Sequence, residues 1–136
     1  MSTDVAGLAA PRISKGKNIF LWLLQLIGAA VFFMSGFMKL SGNEQMVQMF
    51  DLIGIGQWFR YITGVIECAS AILLLIPALS GLGALMLIPT MIGAIFTHLF
   101  IVGGSPALPI GLLTAMTIVA WGRKERTLRL INREMY

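Results

Sequence analysis

The sequence predicts an all-α polytopic membrane protein, an antiparallel four-transmembrane-helix bundle with a short amphipathic helix between spans one and two. Three observations predict it. The 136 residues are 57% hydrophobic and only 12% charged, with a mean hydropathy of +0.86, which is far too apolar for a soluble domain of this size. The apolar residues fall into four runs divided by turn chemistry. The Lys and Arg residues flank the apolar block instead of being spread through it.

Residues 1–17 form a basic N-terminal segment carrying Arg12, Lys15 and Lys17. The first span, 18–39, starts too late and runs too long for a cleaved signal, and no small-x-small cleavage site follows it, so it reads as a retained anchor. Segment 41–57 has a helical pattern of its own. Met46, Met49, Phe50 and Ile53 recur at i, i+3, i+4 and i+7, opposite Glu44, Gln45, Gln48 and Asp51. Asn43 is placed to cap its start and Gly54 its end. It reads as a surface helix whose plain role is to lid the bundle, and whose functional role would be a gate or a partner contact.

The second span is 58–76 and the third 82–101, each close to the ~20 residues that cover ~30 Å of hydrocarbon. The links Pro77-Ala78-Leu79-Ser80-Gly81 and Gly103-Gly104-Ser105-Pro106 are uncharged and short, which forces neighbouring helices to run antiparallel. The fourth span, 107–121, is short unless Pro106 and Pro109 lie in its first turn, where a missing N–H is harmless. The spans make one unit, residues 18–122, followed by a basic tail, 123–136, that mixes Arg123, Lys124, Arg126, Arg129 and Arg133 with Leu128, Leu130 and Ile131. This tail reads as a cationic helix resting on the membrane surface.

The net charge of +4 does not point to nucleic acid, because the cations sit beside the spans, where anionic headgroups are. An even number of spans puts both termini on one side, and the basic excess makes that side cytoplasmic. Trp22 and Trp121 fall at the inner boundary and Trp58 and Tyr61 at the outer one, as interfacial aromatics do. The whole suits a bacterial inner membrane. Cys68 is the lone cysteine, set in a span, and reads as a small packing residue.

Four ionisable residues lie in or at the edge of the spans: Lys39, Arg60, Glu67 and His98. A charge at the bilayer centre is unfavourable by about 2.5–3.5 kcal/mol, so each needs a partner, a cavity or a route to the interface. Taken alone, Lys39 and Arg60 could snorkel to the outer surface. Glu67 lies about 12 Å below the start of its helix, too deep for its short side chain to do so. Helical spacing groups Arg60, Gly64, Glu67 and Ala71 on one stripe, Gly28, Phe32, Ser35 and Lys39 on a second, and Thr90, Ala94, Thr97 and His98 on a third. Small residues beside each charge mark close helix contact, so the stripes are expected to face one another and gather the four groups in an outward-opening polar pocket. Glu67 would be held ionised by Lys39 or Arg60, or left neutral where desolvation prevails. Such a cluster either fixes helix register or binds a small polar ligand. The opposite half of the bundle reads as plain hydrocarbon.

One His and one Cys cannot build a zinc site or a bis-His haem, and no CxxC, phosphate loop or nucleophile elbow is present, so no metal is expected. The nine Met residues scatter over helix faces as packing residues do. No self-sufficient catalytic set is visible, and the sequence leaves open whether the chain is itself an enzyme.

Gly36-Phe37-Met38-Lys39-Leu40, then Leu52-Ile53-Gly54-Ile55, Gly64-Val65-Ile66-Glu67, Leu73-Leu74-Leu75, and Gly93-Ala94 with Thr97-His98-Leu99 follow one another in an order and spacing that resembles the DoxX and DoxX-like membrane proteins. The resemblance runs from about Ile19 to Trp121. It implies a four-helix membrane bundle, with Lys39, Glu67 and His98 at polar positions the family tends to carry. It further implies association with redox partners, a membrane thiosulfate:quinone oxidoreductase being the best known, or work in assembly and trafficking. The expected function is therefore a structural or accessory subunit of a larger membrane redox or energy-converting complex, in contact with lipid and with other membrane subunits. The alternative is a quinone-linked oxidoreductase subunit in which Glu67 and His98 hydrogen-bond a quinone oxygen.

Overall fold

The computed structural model describes residues 14–135, with side chains placed through Asn132. Arg12 and the side chain of Arg133 thus lie outside the described residues. Six α-helices make up the fold: α1 (Lys15–Leu40), α2 (Glu44–Ile53), α3 (Trp58–Leu75), α4 (Ser80–Thr97), α5 (Ala107–Gly122) and α6 (Lys124–Met135). A π-helical turn, His98–Val102, continues α4. Helices α1, α3 and Ser80–Val102 are long and apolar enough to cross a membrane. Helix α5 is equally apolar but has 16 residues, about 24 Å at 1.5 Å per residue. Pro106 caps α5 and Pro109 sits in its first turn, as the sequence requires.

The four long helices form a ring in the order α1, α3, α4, α5, closed by packing of α5 on α1. Side-chain bonds show that they alternate in direction. Asn18, at the start of α1, accepts from Arg123 at the end of α5, and Pro77, between α3 and α4, accepts from Arg126 of α6. At the other end, the last turn of α1 meets the first turn of α3, where Arg60 donates to the Lys39 carbonyl. These are here termed the basic end and the lid end. Between them lies an apolar core in which Phe32, Leu74, Leu87, Met116 and Val119 are almost fully buried. The outer faces carry exposed Ile, Leu and Phe throughout, as lipid-facing surfaces do.

Close approach of α1 and α3 depends on two glycines. A Cβ on Gly36 would stand 2.8 Å from the Gly64 carbonyl and 3.0 Å from the Cys68 nitrogen, both backbone atoms that cannot swing aside. A Cβ on Gly64 would lie 3.1 Å from the Gly36 carbonyl in return. In lipid this mutual contact replaces the hydrophobic drive that water would supply.

Helix α2 forms as its sequence dictates. Asn43 accepts from the Gln45 N–H at 3.1 Å, and Gly54 ends the helix in the left-handed region at φ 86°. Gln57 ties it to α3, donating to the Val47 carbonyl and to Asp51 while accepting from Arg60. Phe50 also packs edge-on against Phe59, with ring centroids 5.8 Å apart.

Gly36→Ala is expected to destabilise the protein by about 1–3 kcal/mol, the usual range for overpacking. Gly111→Ala, whose Cβ meets nothing within 4 Å, should be neutral or stabilising. Unfolding midpoints of both variants in one detergent check the pair, and equal midpoints would refute the role given to Gly36.

Candidate functional site

A cavity of about 500 Å³ lies at the lid end among α1, α2, α3, α4 and α5. Its wall on the α2 side is Met46, Met49, Phe50 and Ile53, the four residues that the helical spacing had placed on one face. Helix α2 therefore does cover the bundle. Opposite it come Phe59, Thr63, Ile66 and Glu67 from α3, Met86, Pro89, Thr90, Met91, Gly93, Ala94 and Thr97 from α4, and His98 from the π-helical turn, with Leu108, Pro109 and Leu112 from α5.

The centre of its polar wall is an ion pair. Lys39 Nζ lies 3.0 Å from Glu67 Oε1 and 3.2 Å from Oε2, and donates to Ser35 Oγ at 2.8 Å. Lys39 is 8% exposed and Glu67 2%. The lysine therefore does not snorkel outward. Its bond to Ser35, one turn earlier, draws the ammonium toward the basic end and into reach of the carboxylate. A carboxylate at that depth needs such a partner, and the pair in turn holds α1 and α3 in register.

Arg60 is buried but is absent from the cavity wall. Its Nη1 donates to the Lys39 carbonyl, its Nε donates to Gln57 Oε1 at 2.6 Å, and its guanidinium lies 4.3 Å from the centre of the Tyr61 ring. The last carbonyls of a helix lack intrahelical partners, and Arg60 supplies one for α1. The structure thus brings Lys39, Glu67 and His98 to one cavity and assigns Arg60 to the joint beside it.

His98 lines the cavity where α4 changes to π-helical spacing. Its Nδ1 lies 3.3 Å from the Gly103 carbonyl. A carbonyl only accepts, so this contact is a hydrogen bond when Nδ1 carries the proton, which leaves Nε2 of the neutral ring with a lone pair. The three threonine hydroxyls in the wall have a fixed sense too. Thr63, Thr90 and Thr97 donate back to the carbonyls of Phe59, Met86 and Gly93, so they present oxygen lone pairs to the cavity. Ser35 accepts from Lys39 and makes no other hydrogen bond among the described residues, which leaves its O–H as a donor. The cavity is rich in acceptors and has few donors.

A second polar network lies at the basic end, where the sequence reading expected hydrocarbon. Gln25, fully buried in α1, donates from Nε2 to the Leu74 carbonyl at 2.8 Å and accepts at Oε1 from Arg123 Nε at 2.7 Å. Arg123 is fully buried as well, donates to Asn18 Oδ1 at 2.9 Å, and lies over the Trp22 ring. Burial holds its pKa below the ordinary arginine value, and the neighbouring Arg126 cation lowers it further. An amide in the middle of an apolar run was the available signal, and a survey of ionisable residues alone passes over Gln25.

The profile of the DoxX-like family matches residues 23–121. The chain belongs to the DoxX-like family. It is also similar to a Bacillus subtilis (strain 168) protein named "Putative oxidoreductase CatD", with 29% identity over 85 residues, covering 62% of this chain and 63% of that protein. The match thus spans less than two thirds of the relative's length. No solved structure matches the chain. The matched family segment contains Lys39, Arg60, Glu67 and His98 and stops short of Arg123.

Lys39→Met is expected to lower stability by about 3–5 kcal/mol by leaving Glu67 buried and unpaired. The double variant Lys39→Met with Glu67→Leu should recover most of that loss. Detergent unfolding of the two variants and the wild type checks this, and a double variant no better than the single one would refute the pairing account.

Proposed function

We propose that this chain is a redox-linked membrane subunit that lends its cavity to the headgroup of a quinone-type molecule, while a partner protein supplies the electron-carrying centre. In this reading the chain sits in a bacterial inner membrane with both termini in the cytoplasm and the lid end facing outward. The observation that carries it is the Lys39–Glu67 pair forming the polar wall of a cavity whose other walls are largely apolar. A volume of about 500 Å³ falls in the range of small-molecule sites, which are mostly apolar with a few convergent polar groups. Family membership and the oxidoreductase name of the Bacillus subtilis relative support the same class.

The residues present fit such a ligand. Met46, Met49, Ile53 and Leu112 suit an apolar tail and ring faces, while Ser35, Glu67 and His98 suit the ring oxygens. A quinone supplies reversible transfer of two electrons and two protons. The protein's part is to hold the ring, exclude water and handle protons. His98 Nε2 is free to take a proton from a ligand hydroxyl, and Glu67 can accept a hydrogen bond from the same class of group. The excess of acceptors favours the reduced, hydroxyl-bearing form over the oxidised, carbonyl-bearing form. The other reading is an accessory subunit with no ligand. It is favoured by the fact that both oxygens of Glu67 already bond Lys39, as a purely structural pair would.

Purification in mild detergent, followed by solvent extraction and mass spectrometry, tests the two readings. The expected result is a co-isolated partner and bound quinol. His98→Ala and Glu67→Gln should each weaken quinol binding by about tenfold or more, equivalent to ~1.4 kcal/mol, without loss of the partner. Unchanged binding in both variants, with the complex intact, would defeat the quinone reading and leave the accessory one.

A further inference from the structure

The two ends of the bundle differ in charge. At the lid end Lys39 and Arg60 are set against Glu44, Asp51 and Glu67. At the basic end Lys15, Lys17, Arg123, Lys124, Arg126 and Arg129 face the single carboxylate of Glu125 among the described residues. The Asn18–Arg123 and Arg126–Pro77 bonds draw these cations to one rim. Arg123 is the clearest sign of imbalance. It is fully buried and, among the described residues, has no carboxylate within 4 Å and no hydrogen-bond partner for Nη2.

Helix α6 is held against this rim in a fixed rotation. Thr127 is buried over Gly81 and donates to the Arg123 carbonyl, and Arg126 donates to the Pro77 carbonyl at 2.9 Å. That rotation leaves Leu128 and Ile131, which share one stripe, half-exposed among the described residues, and leaves Lys124 and Arg129 exposed beside them. An apolar stripe flanked by cations, at the boundary of a membrane-spanning bundle, fits a layer of anionic headgroups above acyl chains.

We propose that the basic end is a binding surface for anionic phospholipid. Lys15, Lys17, Lys124 and Arg129 meet the headgroup phosphates, and Leu128 and Ile131 enter the acyl layer. Arg123 is a positioning residue, which fixes α6 against α1 through Asn18 and Gln25. This surface is separate from the cavity at the lid end.

The full chain in nanodiscs of phosphatidylcholine, with and without phosphatidylglycerol, tests this by thermal unfolding and by native mass spectrometry of retained lipid. Phosphatidylglycerol should raise the melting temperature and be retained preferentially. Lys15→Gln with Arg129→Gln should weaken that retention about thirtyfold, as expected for two surface cations near an anionic layer. Both side chains are exposed and make no hydrogen bond or ring contact among the described residues, unlike Lys124, whose ammonium lies 3.7 Å from the centre of the Trp121 ring, so this variant should melt with the wild type in pure phosphatidylcholine. Equal behaviour in the two lipids, or full retention by the variant, would overturn the proposal. So would a variant that melts lower in phosphatidylcholine, which would make the charges part of folding. A stabilisation by inorganic phosphate in phosphatidylcholine equal to that by phosphatidylglycerol would make the site one for free anions and overturn the lipid assignment.

Discussion

A carboxylate set about two and a half turns inside an apolar helix has to be answered by the protein, because hydrocarbon offers it neither water nor counter-ions. Much of this fold follows from that requirement at Glu67. Lys39 is the answer, and it reaches Glu67 only because α1 ends where α3 begins and because Gly36 and Gly64 let the two backbones touch. The last turn of α1 also ends in carbonyls without full intrahelical partners, and Arg60 donates to the one on Lys39. Arg60 in turn engages Gln57, and Gln57 engages α2. The lid is thus connected to the buried ion pair by a continuous path of hydrogen bonds.

The basic end solves a related problem by similar means. Helix ends leave carbonyls without intrahelical partners, and near a bilayer these must be met by other groups. The Leu74 carbonyl near the end of α3 is met by Gln25, and the Pro77 carbonyl beyond it by Arg126. Side chains from one helix thus cap the end of another at both ends of the bundle. Two of these caps join α1 to α3 and the third joins α6 to the link between α3 and α4, so the same bonds that satisfy the backbone hold neighbouring elements together.

What the sequence made legible follows from period and depth. Hydrophobic runs located the helices, Asn43 and Gly54 bounded α2, and the i, i+3, i+4, i+7 pattern picked the four residues that α2 turns to the cavity. Depth along the helix singled out Glu67, and helical stripes brought Lys39, Glu67 and His98 together. Three things were hidden, for physical reasons. The direction of a long side chain at a helix end depends on its neighbours, so Lys39 and Arg60 look alike in sequence although one bends into the cavity and the other caps α1. Gln25 carries no charge and Arg123 sits in a basic tail, so neither suggests burial until α1 and α5 are seen side by side. The π-helical turn at His98 has no signature that periodicity could detect.

The sense of the hydrogen bonds around the cavity narrows its chemistry further than the residue types do. A wall with three threonines, a serine, a histidine and an ion pair would seem able to donate and accept alike. In the folded protein the threonine protons are committed to backbone carbonyls, the Lys39 ammonium meets Ser35 and the Glu67 carboxylate, and Nδ1 of His98, when it carries the ring proton, donates to Gly103. Lone pairs are left over, with the Ser35 hydroxyl as the main donor. A ligand that brings hydroxyl protons completes this arrangement without breaking it. A ligand that brings only acceptors has to compete with Glu67 for Lys39. In the quinone reading proposed above, the direction of bonds already present in the fold would therefore couple ligand oxidation state to proton occupancy.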